Sequence, residues 1–145
     1  MSQLQSPIRL MDALCVRKAK EMGNTPPPSA SGLTFMAAMQ LARKGNWEAA
    51  VEKLLAAKQE AEKTPEDLEP LAISVSMLGF AYANLNQWPQ AVEAYLEALS
   101  LWQREHGERS KALAPFLQDV SLVYHKAGDQ DKADEFRRKA NEVSK

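Results

Sequence analysis

The stretch from Leu78 to Leu99 sets two helical patterns back to back across a polar corner, Asn86-Gln87. Before the corner, Leu78, Tyr82 and Leu85 recur at steps of four and three, and after it Ala91, Tyr95, Ala98 and Leu99 do the same. Such steps place each set on one face of a helix. Gly79 and Ala91 fall where two antiparallel helices must approach each other. A large side chain at either place would push the axes beyond the usual ~8–10 Å. Pro89 suits the first turn of the second helix, where its missing N–H is not needed.

The corner recurs on both sides. Gly45-Asn46-Trp47-Glu48-Ala49-Ala50 copies it, with Trp47 in the place of Trp88, and Leu54 and Ala57 in the places of Tyr95 and Ala98. Gly128-Asp129-Gln130-Asp131-Lys132-Ala133 copies it again, with Tyr124 in the place of Tyr82 and Ala140 in that of Ala98. The corner alanines Ala50, Ala91 and Ala133 are 41 and 42 residues apart. The third copy departs from the pattern by placing Arg137 where Tyr95 would fall.

The set Leu78-Gly79, Tyr82, Trp88, Ala91, Tyr95 and Ala98-Leu99 resembles the tetratricopeptide repeat. The usual repeat is about 34 residues; a period near 42 is similar to the long-helix version of kinesin light chains, and Ala98–Gly107 looks like that subgroup's inter-repeat stretch. The resemblance implies an all-α fold, a right-handed α-solenoid of three helix pairs covering about residues 32–63, 66–106 and 110–144. It also implies a protein-binding role.

Composition narrows the alternatives. A chain of 145 residues suggests one domain, and 45% apolar with 26% charged residues is ordinary for a soluble one. A net charge of −1 gives no electrostatic reason to expect a nucleic-acid partner. One cysteine, Cys15, excludes an internal disulfide framework and fits a reducing compartment, so cytoplasmic residence is the expectation. No apolar run approaches the ~20 residues that span a bilayer. Arg9, Asp12, Arg17 and Lys18 interrupt any signal-peptide core, and no membrane partner is expected.

Residues 1–22 hold a separate amphipathic helix with Pro7 in its first turn. Its stripe is Ile8, Met11, Leu14, Cys15, Ala19 and Met22. At about 16 residues it is marginal alone in water and needs something to pack on. Residues 23–31, with three consecutive prolines, form a semi-stiff linker whose reach is roughly 25–30 Å. The repeat domain then occupies residues 32–145, with helices at about 32–44, 47–63, 66–86, 88–106, 110–127 and 130–144. Thr64-Pro65-Glu66-Asp67 carries a Thr cap, a first-turn proline and early acids. Pro70 and Pro115 shift the starts of the third and fifth helices to near 68 and 112.

The first helix of each pair lines a concave surface in repeats of the kind resembled. On that template the groove carries Phe35, Met36, Met39 and Arg43, then Ile73, Ser76, Met77, Phe80 and Asn84, then Gln118, Asp119, Leu122, His125 and Lys126. Methionine and phenylalanine together make an adaptable apolar surface. The competing reading assigns some of these to the core, since long helices bury more of their girth. Similar domains that grip acidic chaperone C-termini use a basic-and-Asn clamp; here its Asn places are Met39 and Phe80, leaving Arg43 and Lys126, so a carboxylate-terminal peptide is not expected. The Asn-rich groove of kinesin light chains is missing as well.

Catalysis has no constellation to rest on. His106 and His125 lie on different helices, and no Gly-rich phosphate loop or metal-spaced Cys/His set is present, so no enzyme activity, cofactor or metal is expected. Trp47, Trp88 and Trp102 read as packing residues, and Asp134/Arg138 and Glu135/Lys139 as surface pairs. The expectation is an interaction module or adaptor that binds an apolar helical or extended peptide. The alternatives are a secretion-type chaperone holding an exported segment, and a self-associating scaffold whose groove takes the N-terminal helix in cis or from a neighbour. Phe136, Ala140 and Val143 are expected to form a partly exposed apolar edge at the C-terminal end, where homo-oligomers could form.

Overall fold

The computed structural model describes residues 30–145, with side chains from Thr34 onward; the amphipathic segment with Ile8, Met11, Leu14, Cys15, Ala19 and Met22 lies outside the described residues. Among the described residues all regular structure is helical. The order is α1 (Ala30–Arg43), α2 (Trp47–Glu62), α3 (Leu68–Asn84), α4 (Trp88–His106), a 3-10 turn (Lys111–Leu113), α5 (Ala114–Ala127) and α6 (Gln130–Val143). The pairs α1/α2, α3/α4 and α5/α6 pack internally, and α2 against α3 and α4 against α5 join them in sequence into an α-solenoid.

The three corners are built alike. Asn46, Gln87 and Asp129 donate their backbone N–H to the carbonyls of Leu41, Tyr82 and Tyr124, each over 2.9 Å. Gly45, Asn86 and Gly128, one residue earlier, donate to Ala42, Ala83 and His125. This double bonding closes a helix only if the residue before the last donor takes positive φ. Gly45 at 78° and Gly128 at 93° do so without a Cβ, and Asn86 does so at 59°. Asparagine is among the few side-chain-bearing residues that tolerate this region, which is why the middle corner reads Asn-Gln. Asn46 and Asp129 then cap the following helices through Ala49 N–H and Lys132 N–H.

The helix starts refine the sequence reading. Asp67, not Thr64, caps α3 by accepting from Glu69 N–H, and Pro70 falls third in that helix, where no N–H is required. Ser110 accepts from Ala112 N–H to open the 3-10 turn, so α5 begins at Ala114 with Pro115 second.

The core follows the repeat. Ala50, Ala91 and Ala133 are buried, as are Ala57, Ala98 and Ala140. A Cβ added to Gly79 would lie 2.8 Å from Tyr95 Cδ2, so the glycine is what lets the ring lie flat on α3. The other side of Tyr95 meets Phe116 of α5, with ring centroids 5.4 Å apart, tying the second pair to the third. Trp102, fully buried, donates Nε1–H to Ser76 Oγ over 2.8 Å, and Ser76 passes the bond to Ala72 O over 2.7 Å. The chain of bonds satisfies a buried indole and a buried hydroxyl together.

One expectation about the C-terminal end is overturned. Phe136 and Ala140 are buried and only Val143 is half-buried. Phe136 stacks on Tyr124 at 5.4 Å, and Lys139 Nζ sits 4.6 Å from its centroid. The ring serves the α5/α6 contact, so of the expected edge only Val143 keeps accessible surface.

Candidate functional site

The fourteen candidate groove residues divide into two groups. Met39 and Met77, expected to line the groove, are buried in the core cluster, and Ser76 and Asp119 are buried too. For Met77 the cause is α3's position, packed against both α2 and α4. Met39 faces the same cluster from α1. These methionines therefore act in packing, and the groove is narrower in apolar content than the spacing suggests.

The second group keeps accessible surface. Met36 is 56% exposed, the most of the exposed large apolar side chains. Phe35, Ile73, Phe80 and Leu122 are half-buried, while Arg43, Asn84, Gln118, His125 and Lys126 are exposed. Phe80 meets Trp47 edge-on at 5.4 Å, so its ring bridges α3 to the start of α2. Asn84 turns back on its own helix, donating Nδ2–H to Phe80 O over 2.9 Å. Along the first helices the accessible residues are thus apolar toward α1 and polar toward α5.

A second concavity, about 540 Å³, lies between α5 and α6. Gln118, Asp119, Ser121, Leu122 and His125 line it from α5, and Gln130, Ala133, Asp134, Arg137 and Asn141 from α6. Its hydrogen bonds form a chain. Arg137 Nη2 is 3.0 Å from Asp134 Oδ1, which also accepts from Gln130 Nε2–H over 2.9 Å. With its amide nitrogen facing the carboxylate, Gln130 turns Oε1 to His125 Nδ1 at 2.6 Å. An amide oxygen only accepts, so this arrangement puts a proton on Nδ1 of His125. Ser121 Oγ–H donates to Ala133 O and draws the two helices together.

Of these lining residues, the groove reading had named Gln118, Asp119, Leu122 and His125; Ser121, Gln130, Asp134, Arg137 and Asn141 were missed as a site. The signal was present in the 42-residue offset, which sets them against Gly79, Trp88, Val92, Tyr95 and Leu99. Asp134 pairs with Arg137 in place of Arg138, and Glu135 pairs with Lys139 and also Lys132. The two lysines hold the Glu135 carboxyl below its usual range, the Lys139 hydrogen bond first.

Elsewhere the described residues offer no obvious chemistry. His106 stacks on Trp102 at 5.7 Å. Among the described residues no group of three His, Cys, Asp or Glu side chains could hold a metal ion, and no helix is long and apolar enough to cross a membrane.

Comparisons with known proteins agree with this architecture. A kinesin light chain-related protein 1 of Arabidopsis thaliana is 29% identical over 85 residues, which is 59% of this chain but 14% of that relative's length. The crystal structure of the tetratricopeptide domain of Arabidopsis FLU superposes with a TM-score of 0.65 at 17% identity, covering 74% of this chain and 88% of that one, and so matches it in fold. The tetratricopeptide-repeat profile matches residues 71–144, half of the sequence, from within α3 to the end of α6 and across the Tyr95–Phe116 contact. The chain belongs to the tetratricopeptide-repeat family.

Proposed function

We propose that this chain is a protein-interaction module whose first helices, α1, α3 and α5, take up an apolar helical or extended segment of a partner. The observation that carries the reading is the surface retained by Phe35, Met36, Ile73, Phe80 and Leu122 on those three helices, although Phe35, Ile73 and Phe80 also pack against the core. Apolar surface kept exposed on a folded protein commonly marks an interaction site. The chaperone and scaffold alternatives would use the same surface. Cytoplasmic residence is part of the proposal and rests on the lone Cys15.

The chain's own segment 7–22 is the nearest competitor for that surface. Its stripe is apolar, and Met36 lies less than two turns past Ala30, where the described chain begins. Labelled peptide of residues 7–22 therefore serves as the apolar probe. Titrated into the full chain, it is expected to bind, and Met36→Glu should weaken it by roughly five- to thirty-fold, the equivalent of ~1–2 kcal/mol. Leu96→Glu, on the second helix α4, should leave affinity unchanged. Equal loss in both variants, or none in Met36→Glu, would refute the placement.

A further inference from the structure

Among the described residues the exposed large apolar side chains are Met36, Leu55 and Leu96, and the two leucines stand apart from the first helices. Leu55 of α2 is 41% exposed and Leu96 of α4 is 36% exposed. They hold equivalent places in successive pairs, 41 residues apart, one residue after the core positions Leu54 and Tyr95. One residue turns a helical side chain by about 100°, so each leucine points off the core while its neighbour fills it. Each also stands four residues after a valine, Val51 or Val92, that is half-buried and packs against the core. In the third pair the corresponding places hold Asp134 and Arg138.

Exposed leucines scattered singly need no explanation, but these two share one face. Lys58, one turn past Leu55, reaches from α2 to Glu97, the residue after Leu96, with Nζ 3.2 Å from Oε2. The bridge ties α2 to α4 and sets the two leucines beside it at nearly the same height. Both charged groups keep accessible surface. Each of the two helices therefore presents one leucine and one charge, and the charges are opposite in sign. A face of this kind is complementary to itself. Turned over about an axis lying between and along the two helices, it places α2 on α4 and α4 on α2.

We propose that a second copy of this chain docks on the α2/α4 face about such a two-fold axis, with Leu55 of each copy against Leu96 of the other and Lys58 against Glu97. Every contact then occurs twice, as in any isologous interface. The leucines supply the apolar burial. The charges set the register, because the alternative that lays α2 on α2 brings lysine to lysine. A patch this small makes the dimer a transient one, with a dissociation constant on the order of 0.1 mM. It is built from second helices and leaves α1, α3 and α5 free for a partner segment.

Charge reversal on the full chain separates a contact between copies from a pairing within one copy. Sedimentation velocity up to about 1 mM should show the parent dimerising, and Leu55→Glu or Leu96→Glu should each weaken the dimer about tenfold or more. Lys58→Glu and Glu97→Lys each set like charges together at both contacts and should weaken it about fivefold. Mixed one to one, these two variants offer opposite charges to each other at both contacts. The mixture should recover the parent's affinity, although neither variant can form the bridge within its own chain. All four changes fall at accessible positions, and circular dichroism melts check that each variant is folded. A parent that stays monomeric at that concentration overturns the proposal and leaves the two leucines to a different protein. A dimer that survives both leucine changes overturns it too, as does a mixture that associates no more tightly than its separate components.

Discussion

Tyr95 shows how a single side chain can hold two pairs together at some expense to itself. Its ring is clamped between Gly79 and Phe116, but its hydroxyl is buried with no hydrogen-bond partner among the described residues. Burial, and secondarily the Asp119 carboxylate, push the phenol well above the ordinary tyrosine range. An unpaired buried hydroxyl costs ~1–3 kcal/mol. Tyr95→Phe keeps the ring and removes the orphan, so it should stabilise the fold by about 1 kcal/mol in urea melts. The same residue sets an alkaline limit. A phenol raised in the folded state stays protonated where the unfolded chain ionises, so stability is whole below the unfolded value near 10 and falls as pH rises beyond it. Tyr95→Phe should flatten that fall by up to ~1.4 kcal/mol per pH unit. An unchanged slope would mean that the Tyr95 hydroxyl reaches water.

At the scale of elements, the pairing rests on small residues in register. Ala38, Gly79 and Ser121 hold corresponding places on the first helices, and Ala50, Ala91 and Ala133 on the second. Ala91 is wholly buried. Ala91→Glu puts an unpaired charge where α3 and α4 meet, a class of change costing several kcal/mol. Its thermal midpoint should drop well below the parent's. A drop of only a degree or two would mean that the helices do not approach at Ala91. The corners tolerate more, because their bonds are between backbone groups and ask only for positive φ at Gly45, Asn86 and Gly128.

For the whole molecule, the buried mass is unevenly spread. Trp102, Tyr95, Phe116, Met77 and Val75, among the largest fully buried side chains, all belong to α3, α4 and α5. The buried residues of α2 are Leu54 and three alanines, and those of α6 are Phe136 and two alanines. In a linear array each pair is steadied only by its neighbours, so opening should begin at the ends. Native-state hydrogen exchange should find the slowest amides in α3 and α4, and faster exchange in α1 and α6. Amides of α6 as slow as those of α4 would show that the solenoid opens as one unit.

Local spacing was sufficient for the repeat, the six helices and the corners, because each depends on residues within a turn or two of one another. The register of Ala50, Ala91 and Ala133 marks the close approaches, and Pro70 and Pro115 limit where helices can start. Even the third pair's departure was visible as Arg137 in the place of Tyr95. The side each residue faces follows from periodicity; how much stands in front of that side does not. Met36 and Met77 occupy equivalent places 41 residues apart, yet one is exposed and the other fully buried. The difference lies in the neighbours: α3 is packed between α2 and α4, while α1 lies at the end of the described array. Phe136 was misread for the same reason, since only the approach of Tyr124 from α5 turns an apolar edge into core. The His125–Gln130–Asp134–Arg137 chain likewise needed the corner at Gly128 to fold α6 back on α5 before its members could meet. Burial and hydrogen-bond partnership depend on what other segments bring alongside, and that was decided by the tertiary structure alone.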